Sequence, residues 1–145
     1  MTYATLAALE DAYGVDEIRQ LADRDADGVA DVDVVAAALA RADGLIDSYL
    51  AGRYAIPITP TLPLIVAVAG DLARYYLYDD AVPERVQKAH DDAVAWLKSA
   101  ARGDVILIGA AGPETATAQP GPPAYAAPAR TFSADSLADF GGYGA

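Results

Sequence analysis

VDVVAAALARADGLIDSYLAG, residues 32–52, is the stretch on which the fold turns. Within it Val35, Leu39, Ala42, Leu45, Ile46, Tyr49 and Leu50 recur at steps of three and four, the spacing of one helix face turned towards a core. With Asp31 or Asp33 as the cap, the spacing predicts a long central helix from Val32 to Gly52.

Towards the N-terminus, Thr5 precedes Leu6-Ala7-Ala8-Leu9-Glu10-Asp11-Ala12-Tyr13 and Gly14 follows it, which predicts a short helix with a hydroxyl cap and a glycine stop. A second short helix is expected over Asp16–Ala22, followed by the acidic loop Asp23–Asp31. Towards the C-terminus, Pro57, Pro60 and Pro63 rule out regular helix and favour a stiff extended crossing, with Pro63 suited to the first helical position of the next element. Ile65, Val68, Leu72, Tyr75 and Tyr76 form the stripe of a fourth helix. A fifth opens at Pro83, carries Val86, His90, Ala93, Val94 and Leu97, and ends before Gly103. The two make a helical hairpin joined by Asp79-Asp80-Ala81-Val82.

The expected class is therefore all-α: a small bundle of about five helices, a long central helix plus a helical hairpin, with an extended C-terminal arm. Val105-Ile106-Leu107-Ile108 is a β-branched run suited to pairing as a strand with a neighbour. The domain reading is a helical body over residues 1–108, a Pro/Ala/Gly-rich linker over 109–129 and a C-terminal peptide over 130–145. Pro113, Pro120, Pro122, Pro123 and Pro128 fall in the linker, while the peptide holds both phenylalanines of the chain. Arg130, Phe132, Leu137 and Phe140 are accordingly expected to dock on a partner, because a merely solvating tail needs no large apolar side chains.

Ten basic residues against twenty-one acidic ones give a net charge of −11, which argues against gripping phosphate backbones or anionic membranes. No apolar run reaches the roughly 18–20 residues of a membrane span, and no basic leader precedes an apolar segment, so the chain reads as cytosolic in origin. The absence of cysteine removes thiolate nucleophiles, disulfides and zinc-thiolate sites, leaving His90 as the sole imidazole. His90 lies on an apolar stripe and is expected to pack there. Asp43 and Asp47 stand one helical turn apart without a nucleophile beside them, so ion pairing with Arg41, Arg53 or Arg74 is the expected use. Asp71 is placed to partner Arg74, three residues on, or Arg53. The tyrosines 49, 54, 75, 76 and 78 are expected in the core with hydroxyls at its edge. No enzyme activity is expected.

The acidic loop carries the sharpest motif. Asp23, Asp25 and Asp27 occupy positions 1, 3 and 5 of a calcium loop, Gly28 position 6, Val29 the carbonyl position 7 and Asp31 position 9. Alternating carboxylates can converge on a hard cation that needs several oxygens. Position 12, however, is Val34, where a bidentate acid belongs. Two readings stand: a Ca2+ site, or an acidic turn whose aspartates cap neighbouring helices.

Taken together, Tyr3-Ala4-Thr5 with its short helix, Leu21–Gly28, Ile46–Tyr54, Pro57 and Asp71–Tyr78 resemble the Mu-like phage and prophage head–tail connector (adaptor) family. The resemblance covers residues 1 to 108. It implies an α-helical virion neck protein, assembled in the host cytoplasm into a homo-oligomeric ring, usually dodecameric, that binds beneath the portal protein and receives a stopper or tail-completion protein. DNA would pass through the channel without specific binding, and no cofactor would be required. Asp47, Tyr49, Arg53, Asp71 and Arg74 are the expected structural or interface residues. The alternative to this reading is a calcium-binding helical interaction module.

Overall fold

The computed structural model describes residues 2–112, and the linker and C-terminal peptide from 113 onward lie outside the described residues. Five helices appear, α1 (Leu6–Tyr13), α2 (Val15–Ala22), α3 (Val32–Leu50), α4 (Pro63–Leu77) and α5 (Glu84–Arg102), and no strand forms among the described residues. The all-α bundle expected from the periodicity is present.

Local chemistry explains where each helix begins and ends. Thr5 caps α1, its Oγ1 accepting the Ala8 N–H at 3.2 Å. Gly14, at φ +97°, is both the last cap of α1 and the first of α2, and its freedom at positive φ lets the chain turn between two helices with no linker. Pro63 opens α4, where its missing N–H costs no helical hydrogen bond. Asp31 stands at the start of α3, but its carboxylate accepts the Arg24 N–H at 2.9 Å instead of capping the helix. α3 ends at Leu50, two residues before the expected Gly52.

The long α3 packs against both arms of the α4–α5 hairpin, and α1 and α2 lie across α3 and α4. Val35, Ala38, Leu39, Ala42, Ile46 and Leu50 line the buried face of α3, meeting Ile65, Val68, Leu72 and Leu77 of α4 and Ala93, Leu97 and Ala100 of α5. Burying such aliphatic side chains stabilises by about 1.5–3 kcal/mol each. Gly70 lets α1 come close, since a Cβ there would stand 3.1 Å from the Tyr13 hydroxyl.

The run Val105–Ile108 does not pair as a strand. Leu107 turns into the core and its N–H donates to the Tyr54 hydroxyl at 3.0 Å, while Ile106 and Ile108 face outward at 71% and 88% exposure. Nearby, the Ala55 N–H donates to the Ala111 carbonyl at 3.1 Å. Two hydrogen bonds, at Leu107 and Ala111, thus tie this part of the chain to the start of the 54–62 crossing. In that crossing the Ile56–Pro57 and Thr59–Pro60 bonds are cis.

Candidate functional site

Asp43, Asp47, Asp71 and Arg74 fall into two internal polar clusters and the loop aspartates lie at the surface, while Arg130, Phe132, Leu137 and Phe140 lie outside the described residues. In the first cluster the N-terminal segment is tied to α3. The Tyr3 N–H donates to Asp43 Oδ1 at 3.1 Å, and the Tyr3 hydroxyl donates to Asp47 while accepting the Ile58 N–H at 2.9 Å. Asp43 and Asp47 thus pair with a tyrosine forty residues upstream, not with Arg41, Arg53 or Arg74. The expectation of ion pairs fails because α3 presents these acids to the N-terminal segment, where a phenol and an amide satisfy them. Burial, then the nearby Asp47 charge, push the Asp43 carboxyl above the usual carboxylate range, against the pull of the Tyr3 N–H. Burial and the hydrogen bond to Asp47 push the Tyr3 phenol up to about 12.

The second cluster fastens α1 and α2 to α4. Arg74, only 7% exposed, donates through Nε to Glu17 Oε1 at 2.7 Å and pairs with the same carboxylate through Nη2. Its guanidinium lies 4.6 Å from the centre of the Tyr13 ring. Tyr13 donates to Asp71 Oδ1 at 2.8 Å, and burial followed by that bond pushes its phenol far up. The expected Asp71–Arg74 pair is absent: each finds a partner on the N-terminal helices instead. Arg53, the other arginine considered for Asp71, lays its guanidinium against Gly103 at the C-terminus of α5, where the helix dipole favours a cation. Tyr49 is half-buried beside the core. Sequence reasoning missed Tyr3 and Glu17 as partners, since nothing local in the chain announces contacts across some 40–60 residues.

His90 packs as expected, stacked on Tyr75 with ring centroids 4.0 Å apart, its Nδ1 3.1 Å from Asp91 Oδ1.

The acidic loop brings three of its carboxylates together. Ligand oxygens of Asp23, Asp25 and Asp27 all lie within 4.8 Å of one another. Asp23 accepts the N–H groups of Asp27 and Gly28, Asp25 also accepts that of Asp27, and Asp27 accepts that of Val29. Ala26 sits in the left-handed region at φ 62°, so the loop is tightly wound. Asp31, the expected position-9 donor, is turned to the Arg24 N–H, and Arg24 pairs with Asp79 across the helix ends. Three carboxylates can reach a cation; the remaining oxygens would have to come from the Val29 carbonyl, from Asp31 after it leaves Arg24, and from water.

One surface feature escaped the sequence reading. The 54–62 crossing meets the 105–111 segment near the start of α4, and Ile56, Leu64, Ile106 and Ile108, on or beside these segments, are each exposed. The described chain leaves the body here, since Ala111 is hydrogen-bonded to Ala55.

The family model described as "Bacteriophage Mu, Gp36" matches residues 3–124, the whole helical body together with the start of the linker. The chain belongs to the Mu Gp36 family. Among relatives of this Gp36-family chain, "Gene product J" of Escherichia phage Mu is 33% identical over 104 residues, covering 71% of this chain and 74% of its own length. The "Mu-like prophage FluMu protein gp36" of Haemophilus influenzae (strain ATCC 51907 / DSM 11121 / KW20 / Rd) is 28% identical over 105 residues, covering 72% and 74%. The expected membership of a Mu-like phage protein family therefore stands, and the Gp36 match takes in Tyr3, the acidic loop and both polar clusters.

Proposed function

We propose that this Gp36-family chain is a structural virion protein without enzymatic activity: a head–tail adaptor that closes into a ring of about twelve copies under the portal and receives the stopper or tail-completion protein in the virion neck. The observation that carries the reading is the exposure of Ile56, Leu64, Ile106 and Ile108 on a body whose N-terminal helices are pinned by internal polar ties. A rigid body with large apolar side chains left exposed is suited to a persistent protein contact, because burying them is favourable and little conformational freedom is lost. The net charge of −11 suits the wall of a conduit that must pass DNA without holding it. No helix among the described residues is long and apolar enough to cross a membrane. No cofactor is needed for this role.

The test is native mass measurement of the purified chain alone and mixed with the portal protein of its own phage. A ring on the portal is expected, with its formation abolished by Ile106→Lys combined with Ile108→Lys while helicity and melting temperature are kept. Failure of the unsubstituted chain to associate with itself or with the portal contradicts the reading.

A second reading rests on the convergence of Asp23, Asp25 and Asp27: the loop takes up Ca2+ and thereby sets the angle between α2 and α3. It calls for metal to change oligomeric state or partner binding, and calcium titration separates it from a purely self-bonded turn.

A further inference from the structure

The N-terminal half of α3 and the C-terminal end of α4 flank a cleft of about 430 Å³, lined by Arg24, Val34, Ala38, Arg41, Tyr76 and Asp79. Its floor is apolar, with Ala38 buried and Val34 half-buried. The guanidinium of Arg41 lies 4.1 Å from the centre of the Tyr76 ring. Arg24 is taken by Asp79, and it also donates to the Leu77 carbonyl at 3.4 Å, which closes one rim. Arg41 has no ion-pair partner among the described residues. In a chain of net charge −11, the cleft thus offers an exposed cation held over an aromatic ring beside an apolar floor.

We propose that the occupant of this cleft is the C-terminal segment Arg130–Phe140 of the chain, with Phe140 on the Val34–Ala38 floor and Asp139 against Arg41. The segment has the complementary chemistry. It holds both phenylalanines, and Asp139 directly precedes Phe140, so one short stretch supplies a carboxylate for Arg41 and an aromatic ring for the apolar floor. Asp135, four residues earlier, adds a second acid. Chain length permits the contact. The described body ends near Ala55, at the end of α4 remote from Tyr76, and the fifteen residues of α4 span roughly 22 Å. A proline-rich tether over residues 113–129 reaches up to about 50 Å at 3.1 Å per residue, enough for its own body or for an adjacent copy. Tethering raises the local concentration of the segment to the millimolar range, so a modest contact suffices. The inference is independent of the head–tail reading, because the isolated protein tests it.

The chain has no cysteine, which makes disulfide trapping clean. In the full-length protein, Ala37→Cys on the cleft rim is combined with Leu137→Cys, and the control pairs Leu137→Cys with Asp16→Cys on α2. The cleft pair is expected to oxidise about tenfold faster than the control, and Arg41→Glu to remove that advantage. Asp139→Arg added to Arg41→Glu is expected to restore it. Electrophoresis reads the source: a faster-running monomer means the segment comes from the same copy, a ladder means a neighbour, and either supports the contact. Circular dichroism checks that Arg41→Glu stays folded, with Arg41→Gln as the milder variant. Equal rates at the cleft and control positions, or rates indifferent to both Arg41 substitutions in folded protein, overturn the proposal and leave the cleft to a different partner.

Discussion

The Tyr3 hydroxyl and the Asp47 carboxylate, forty-four residues apart, share a hydrogen bond that anchors the N-terminal segment along α3, and the same oxygen of Tyr3 takes the N–H of Ile58. One phenol therefore joins three parts of the chain: the entry to α1, the last turn of α3 and the proline-rich crossing. Such a device fixes the orientation of elements that share few other polar links.

Tyr3→Phe keeps the ring and deletes the hydroxyl, leaving the buried Ile58 N–H and the Asp47 carboxylate without their partner. The expected cost is about 1–3 kcal/mol, read as a lower urea midpoint at unchanged slope. An unchanged midpoint would show the tie to be energetically idle.

Alkali should loosen the same tie. The Tyr3 phenol titrates near 12 in the folded chain against 10 when unfolded, so the folded state keeps a proton that the unfolded chain gives up. Its contribution is fully present below pH 10 and is lost as pH rises from 10 through 12. Tyr13 shifts in the same direction, so the measurement is a difference: wild type should lose stability over this window more steeply than Tyr3→Phe. Parallel curves for the two proteins would contradict the assignment.

The Glu17–Arg74 pair is expected to matter more than an exposed ion pair, because Arg74 is buried. Arg74→Ala leaves Glu17 facing a partly dry site and removes the cation above Tyr13, at a cost of about 3 kcal/mol, or roughly 10 °C in melting temperature. Glu17→Gln retains an acceptor and should cost about 1 kcal/mol. Equal and small effects from both would mean that the pair is held by packing alone.

Much of the body was legible in the chain. Period and punctuation placed all five helices, because Thr5, Gly14, Pro63 and Gly103 act through local backbone chemistry that tertiary packing did not override. The polar partners were not legible. Asp71 was expected to meet Arg74 by helical spacing, yet α1 brings Tyr13 to Asp71 and α2 brings Glu17 to Arg74, and those docking positions are set by the whole core. In Val105–Ile108 the alternation is real, with Leu107 inward and Ile106 and Ile108 outward, and the contact of the Leu107 N–H with the Tyr54 hydroxyl, fifty-three residues away in sequence, was not legible. The convergence of Asp23, Asp25 and Asp27 was legible in their spacing, whereas the diversion of Asp31 to Arg24 was not.

If the acidic loop takes up Ca2+, millimolar calcium should raise the melting temperature by several degrees, since a ligand present at 100 times its Kd adds about 2.7 kcal/mol. Asp25→Asn with Asp27→Asn should abolish that rise. A melting temperature indifferent to both calcium and chelator assigns the loop to its own backbone hydrogen bonds.

The central claim, that this Gp36-family chain builds the neck ring, is tested most directly by electron cryo-microscopy of virions from the phage that encodes it. The account predicts a closed ring of copies between portal and tail, with Ile56, Leu64, Ile106 and Ile108 covered by protein. Virions whose neck density is fully explained by other polypeptides would contradict it.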